Sequence, residues 1–235
     1  MLGNNWIALL VTLGLAIMWL RTNDWLAQRG VVSSTLSRKI IHIGTGPLFV
    51  LCWLLFLDTS EARYLAVIVP LAITAQFILV GTGIIHDPAA VKAMSRTGDR
   101  REILRGPLLY GIAFVVLTLV FWKNSPLGIV ALMMMCGGDG LADVIGSKWG
   151  AEHLPWSEKK SWAGSIAVFM GGMLLTLLVL GVFIAAGTFH RSLMDFFPGI
   201  TWIAFGATLV ESLPLADIDN LTVPTIAILL GFFLL

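Results

Sequence analysis

Asp139 and Asp143 stand four residues apart in the stretch CGGDGLADVIGSKWG, residues 136–150, and Gly146 and Gly150 continue the series by three and four. On a helix all four share one face. Two carboxylates followed by two positions without side chains make a surface that holds a cation and lets a bulky anion reach the backbone. The packing alternative is a glycine face for close helix contact, with the aspartates answered by basic neighbours.

Further along, Lys159 and Lys160 precede Ser161, Gly164 and Ser165 at what reads as the start of a helix. Ammonium groups, hydroxyls and the free N–H groups of a helix N-terminus are the donors a phosphate needs. A third polar segment, ESLPLADIDNLTVP, opens on Glu211 and carries Asp217, Asp219 and Asn220, with no basic residue beside them in the chain. Acids and lysines gathered on one side of a membrane repel a polyanion unless a metal intervenes. Mg²⁺ is typically held by one or two carboxylates plus substrate phosphates, so the combination suits a nucleotide with Mg²⁺ or another divalent cation. Independent surface loops are the alternative. Arg38 and Lys39, in SSTLSRKIIH, residues 33–42, are candidates for the same anion or anchors of a helix end at the interface. His42, four residues after Arg38, shares a helix face with it.

The elements that position these groups are membrane spans. The chain has 235 residues, 57% hydrophobic and 12% charged, with a mean hydropathy of +0.90, whereas a soluble domain carries about a quarter charged residues. Apolar runs fall at 2–20, 40–57, 64–85, 107–122, 126–149, 163–187, 196–213 and 221–235. The pattern predicts an all-α polytopic helical bundle in one membrane domain, 1–235, with about eight transmembrane helices. The last run is 15 residues, about 22 Å of helix, which crosses only a thin bilayer; seven spans and a partial one is the other count. The first run lacks the basic lead and small-residue cleavage site of a signal peptide and reads as a retained helix.

Of the 15 lysines and arginines, 12 fall at or beyond the ends of odd-numbered spans. The positive-inside rule then puts those loops in the cytoplasm and both termini on the far side. The loop over 86–106, with RTGDRREILRG, is the most basic; it orients the chain or contacts lipid headgroups, with substrate binding as the other reading. If a helix starts near Pro126, Asp139 lies about 20 Å along it, roughly 10 Å short of the cytoplasmic boundary. A charge at that depth needs a partner, an ion or a watery cavity.

Several functions are excluded. A net charge of +1 makes no electrostatic case for nucleic acid. GxxxxGK[ST], HExxH and GxSxG do not occur. Cys52 and Cys136 sit in apolar runs without metal spacing and read as packing residues.

GDGLADVIGSKWG, LPWSEKKSWAGS and ATLVESLPLADIDNLTVP together resemble the phytol kinase branch of the CTP-dependent polyprenol kinase family, and SRKIIHIGTG and REILRGPLLY match its general pattern. The resemblance implies transfer of the CTP γ-phosphate to the hydroxyl of phytol, with geranylgeraniol and farnesol as alternative alcohols taken from the bilayer, in a multi-pass protein among the membrane lipids of a tocopherol-making phototroph. It implies that Asp139 and Asp143 hold the metal, and that Gly138, Gly140, Gly146 and Gly150 belong with them to the nucleotide site. It assigns Lys159, Lys160, Ser161, Gly164 and Ser165 to phosphate, with Arg38, Lys39, Glu211, Asp217 and Asn220 in other matching segments. Lys160 would neutralise the transferred group, and the base is an aspartate or His42. A cytidylyltransferase using the same CTP site, or a transporter using the buried acids, are the competing functions.

Overall fold

A backbone crossing hydrocarbon has to satisfy its own hydrogen bonds, which leaves helices as the default for runs this apolar. The computed structural model describes residues 2–214 and 218–235. Among the described residues, seven helices are long and apolar enough to cross a membrane: Asn5–Gln28, Thr35–Leu55, Ala62–Thr82, Arg100–Val120, Pro126–Trp149, Trp162–Ala185 and Leu193–Glu211. The eighth, Asp219–Leu234, has 16 residues, about 24 Å. The all-α bundle is as the apolar runs predict, in the form of seven spans plus a shorter helix. Large apolar side chains such as Trp6, Leu10, Leu178, Trp202 and Phe232 point outward, as they do where lipid is the solvent.

The chain forms two compact units, Met1–Leu119 and Val120–Leu235. The first holds α1 (Asn5–Gln28), α2 (Ser34–Cys52), α3 (Ala62–Ala66), α4 (Ile68–Thr82), α5 (Pro88–Met94) and α6 (Gly106–Val120). Two helices begin or end well outside their apolar runs. Helix α1 continues past Leu20 because Asn23 is buried with its amide donating to the Trp19 carbonyl. Helix α2 starts before residue 40 because the Ser33 hydroxyl caps it, accepting from the Leu36 N–H. The basic loop over 86–106 is folded: Asp87 caps α5, the Glu102 carboxylate accepts from the Arg96 and Thr97 N–H groups and the Thr97 hydroxyl, and Ile103 is buried against Phe77 and Val80.

The second unit carries the acidic segments. Helix α7 (Pro126–Met134) runs into a single π turn, Met135–Asp139, and then α8 (Gly140–Trp149). A two-stranded antiparallel hairpin follows, β1 (His153–Leu154) and β2 (Ser157–Ser161). Helices α9 (Trp162–Ala185), α10 (Leu193–Glu211) and α11 (Asp219–Leu234) complete it. Helix α9 packs on α7, the π turn, α8 and α10, while α11 packs on α10 and α7.

Backbone proximity sets the α8–α9 contact. A Cβ on Gly137 would lie 2.5 Å from the Gly171 carbonyl oxygen, and one on Gly171 the same distance from that of Gly137. The π turn sits at this crossing, where Gly137 and Gly138 bring no side chain against α9. A π turn adds a residue to one helical turn, and such turns recur at functional sites. Gly171→Leu therefore forces the π turn off α9. Overpacking of this kind costs about 1–3 kcal/mol, and thermal unfolding of the detergent-solubilised protein is expected to show a lowered Tm, with Gly171→Ala intermediate.

Candidate active site

Three acids that are far apart in sequence meet in the second unit. Asp139 ends the π turn, Glu211 ends α10 and Asp219 begins α11. Each offers a carboxylate oxygen, and the three oxygens lie within 4.8 Å of one another. Lys160 stands among them: its Nζ donates to Glu211 Oε1 and lies 3.4 Å from Asp219 Oδ2. Glu211 is only 3% exposed, so its charge needs this partner.

The hairpin selects the lysine. Lys159 is exposed, while Lys160 is partly buried and pairs with Glu211. Trp156 pins the hairpin over the end of α10, its indole Nε1 donating to the Ser212 carbonyl at 3.1 Å and its ring edge meeting Trp162. Burial alone would lower the affinity of the Lys160 ammonium for its proton, but Glu211, Asp219 and Asp139 outweigh it and raise its pKa. Lys160 is therefore a fixed positive charge at neutral pH.

The group fits a divalent cation. Its carboxylates gather oxygen donors in one place, and among the described residues Asp219 Oδ1 is a buried oxygen without a hydrogen-bond partner. Oxygens on one Mg²⁺ ion lie at most about 4 Å apart, and the spacing of these oxygens, within 4.8 Å of one another, is close to that.

Not every sequence-assigned residue joins the group. Asp143 lies one turn beyond Asp139, on the exposed side of α8; its charge is felt by Glu211, but it is not one of the three clustered acids. Gly150 is the C-cap of α8, its N–H donating to the Gly146 carbonyl, and it continues the glycine face against Ser161. Gly146, Gly150 and Gly164 surround Ser161, whose hydroxyl caps α9 by accepting from the Gly164 N–H at 3.2 Å. In the structure this face packs α8 against the start of α9. Gly138 and Gly140 are buried, with Gly138 against Val168. Ser165 is also buried, and its hydroxyl has no partner among the described residues. Asn220 is buried beside Asp219. Asp217 lies outside the described residues.

Arg38, Lys39 and His42 belong to the first unit. Lys39 is buried and Arg38 half-buried on α2. The His42 ring lies 4.4 Å from that of Tyr110, whose hydroxyl donates to the His42 carbonyl at 2.7 Å.

Asp219 and Trp156 are the residues that reading by motif leaves without a role. The signal for Asp219 was an acidic segment lacking any basic neighbour in the chain; its cation arrives from 59 positions away. Trp156 carried no signal, since a tryptophan at a membrane boundary is ordinary.

Comparison with known proteins is consistent along nearly the whole chain. A protein of Triticum aestivum, "Probable phytol kinase, chloroplastic", is 42% identical over 228 residues, covering 96% of this chain and 76% of its own length. "Phytol kinase 1, chloroplastic" of Arabidopsis thaliana is 37% identical, covering 96% and 75%. "Farnesol kinase, chloroplastic" of the same plant is 38% identical, covering 89% and 68%. No protein-family model matches the chain, and no solved structure does. With identity at this level spread over so much of both partners, the chain belongs to the phytol kinase branch of the prenol kinases, a family of phosphotransferases.

Proposed function

We propose that this chain transfers the γ-phosphate of CTP to the hydroxyl of phytol, giving phytyl phosphate and CDP, at a membrane-embedded site open to the cytoplasm. The observation that carries this reading is the meeting of Asp139, Glu211 and Asp219 beside Lys160, an acidic group that admits a phosphate chain only together with a cation. The relatives named phytol kinase and farnesol kinase supply the acceptor class, with farnesol and geranylgeraniol as alternatives to phytol. CTP as donor comes from the resemblance of GDGLADVIGSKWG and LPWSEKKSWAGS to the CTP-dependent kinases. The side of the membrane is supported by the segregation of lysine and arginine among the loops, which also puts both termini on the far side. The whole chain serves as one catalytic membrane domain.

In the reaction the prenyl oxygen attacks the γ-phosphorus, the bond from that phosphorus to the β,γ-bridging oxygen breaks, and the hydroxyl proton passes to a base, an aspartate of the site or His42. Asp139 and Asp143 would hold Mg²⁺, with the clustered acids in the same region, and the ion when bound would supply neutralisation of phosphate charge. Lys160 stabilises the negative charge on the transferred phosphoryl group, where such a fixed cation acts without reorganising. Lys159, Ser161, Gly164 and Ser165 lie around the start of α9, whose N-terminus favours phosphate. The alcohol enters from the bilayer with its tail between helices and its hydroxyl at the depth of Asp139.

Incubating the purified protein with each labelled nucleotide and a panel of prenols is expected to yield phytyl phosphate and CDP from CTP. Pyrophosphate as product would mean cytidylyl transfer instead, and no phosphorylated alcohol from any pair rejects the proposal. Asp139→Asn is expected to abolish the reaction while elution from gel filtration is unchanged; retained activity removes Asp139 from the site. Lys160→Met is expected to lower kcat about a hundredfold or more. It also strands the Glu211 charge: removing one partner of a buried pair costs 3–5 kcal/mol, and the partial exposure of Lys160 brings that to roughly 1–3 kcal/mol. A lowered Tm in chelator checks this.

A further inference from the structure

We infer that Glu211 is a positioning residue for Lys160 and not a ligand of the metal. The inference rests on the kinase site proposed above and divides its three clustered acids into two roles.

The acids differ in what already engages them. Glu211 is the most deeply buried, at 3% exposure, and its Oε1 accepts directly from the Lys160 ammonium. Asp219 is touched by the same ammonium only at 3.4 Å, through Oδ2, while its Oδ1 is buried and bare among the described residues. Asp139, half-buried at the end of the π turn, brings the third oxygen. Mg²⁺ uses one or two carboxylates and leaves its other positions to water and phosphate. Asp139 and Asp219 fill that requirement, and their two charges balance the ion. Glu211 then balances Lys160.

The lysine needs such a hold. It stands on β2, a strand of five residues paired only with the two of β1, and its ammonium ends a flexible four-carbon stem. Without Glu211 nothing on α10 draws Nζ inward. With it, the ammonium stays beside the two aspartates, where a metal-held phosphate chain places the group to be transferred. Glu211 acts on the reaction through Lys160.

The test measures Mn²⁺ binding to the purified full chain in detergent by electron paramagnetic resonance, without nucleotide, and steady-state kinetics with CTP and phytol. The variants are Asp139→Asn, Lys160→Met, Glu211→Gln and the Lys160→Met/Glu211→Gln double variant. The double variant removes Lys160 and Glu211 together, so neither is left charged without the other, and it reads the question even where Glu211→Gln alone unfolds. It is expected to bind Mn²⁺ within threefold of the unsubstituted protein, while Asp139→Asn weakens binding tenfold or more. In the kinetics, Glu211→Gln is expected to lower kcat tenfold or more with the metal concentration for half-activation unchanged, and to add less than twofold in the Lys160→Met background, as coupled residues do. Loss of Mn²⁺ binding in both the double variant and Asp139→Asn overturns the inference and leaves the kinase site standing. Wild-type Mn²⁺ affinity in Asp139→Asn overturns both.

Discussion

A carboxylate withdrawn from water into the end of a membrane bundle has to be answered by a cation held in place by the protein, and for Glu211 that cation is Lys160. Lys160 lies against Glu211 and beside Asp219, within the field of Asp139. The three acids come from a π turn, the end of one helix and the start of another. Nothing local in any of these elements would stabilise a buried charge. The Lys160 ammonium ties the end of α10 to the start of α11, and everything that places Lys160 therefore matters to both.

The hairpin and the glycine-lined crossing are the devices that place it. Trp156 ties the hairpin to the carbonyl of Ser212, directly after Glu211, so the strand bearing the lysine and the helix bearing the acid share an attachment. Ser161 ends that strand and caps α9. Gly146, Gly150 and Gly164 then let α8 and the start of α9 approach closely around the Ser161 side chain. Further down, Gly137 and Gly171 allow backbone contact where the π turn lies, two residues before Asp139. Close packing and site geometry are the same feature here: the small residues that permit the crossing also fix how far Asp139 stands from the strand of Lys160.

A membrane kinase has to bring a water-soluble phosphate donor to a hydroxyl whose tail is in lipid. Acids inside the bundle near its polar end meet that condition, because a hydroxyl at the interface and a nucleotide from water can reach the same depth. The excess of acid over base is suited to chemistry in which a divalent cation accompanies the phosphate chain. The basic loop of the first unit is itself folded, organised by Glu102 and anchored by Ile103.

The sequence by itself determined the class of molecule. Hydropathy sufficed for the spans, since a helix closes its own hydrogen bonds and needs only length and apolar composition to cross, and the short final run already pointed to seven spans and a partial one. Aspartates at 139 and 143, and acids at 211, 217 and 219 without basic neighbours, marked charge that required an answer. Which charges meet was decided only by tertiary structure. Helical periodicity placed Asp139, Asp143, Gly146 and Gly150 on one face; in the structure Gly146 and Gly150 pack around Ser161, Asp139 closes a π turn, and Asp219 rather than Asp143 clusters with it. Of two adjacent lysines, Lys160 pairs with Glu211 and Lys159 stays exposed. These choices depend on contacts 51 and 59 residues apart along the chain, and an ion pair is selected by distance in space, which local spacing does not encode.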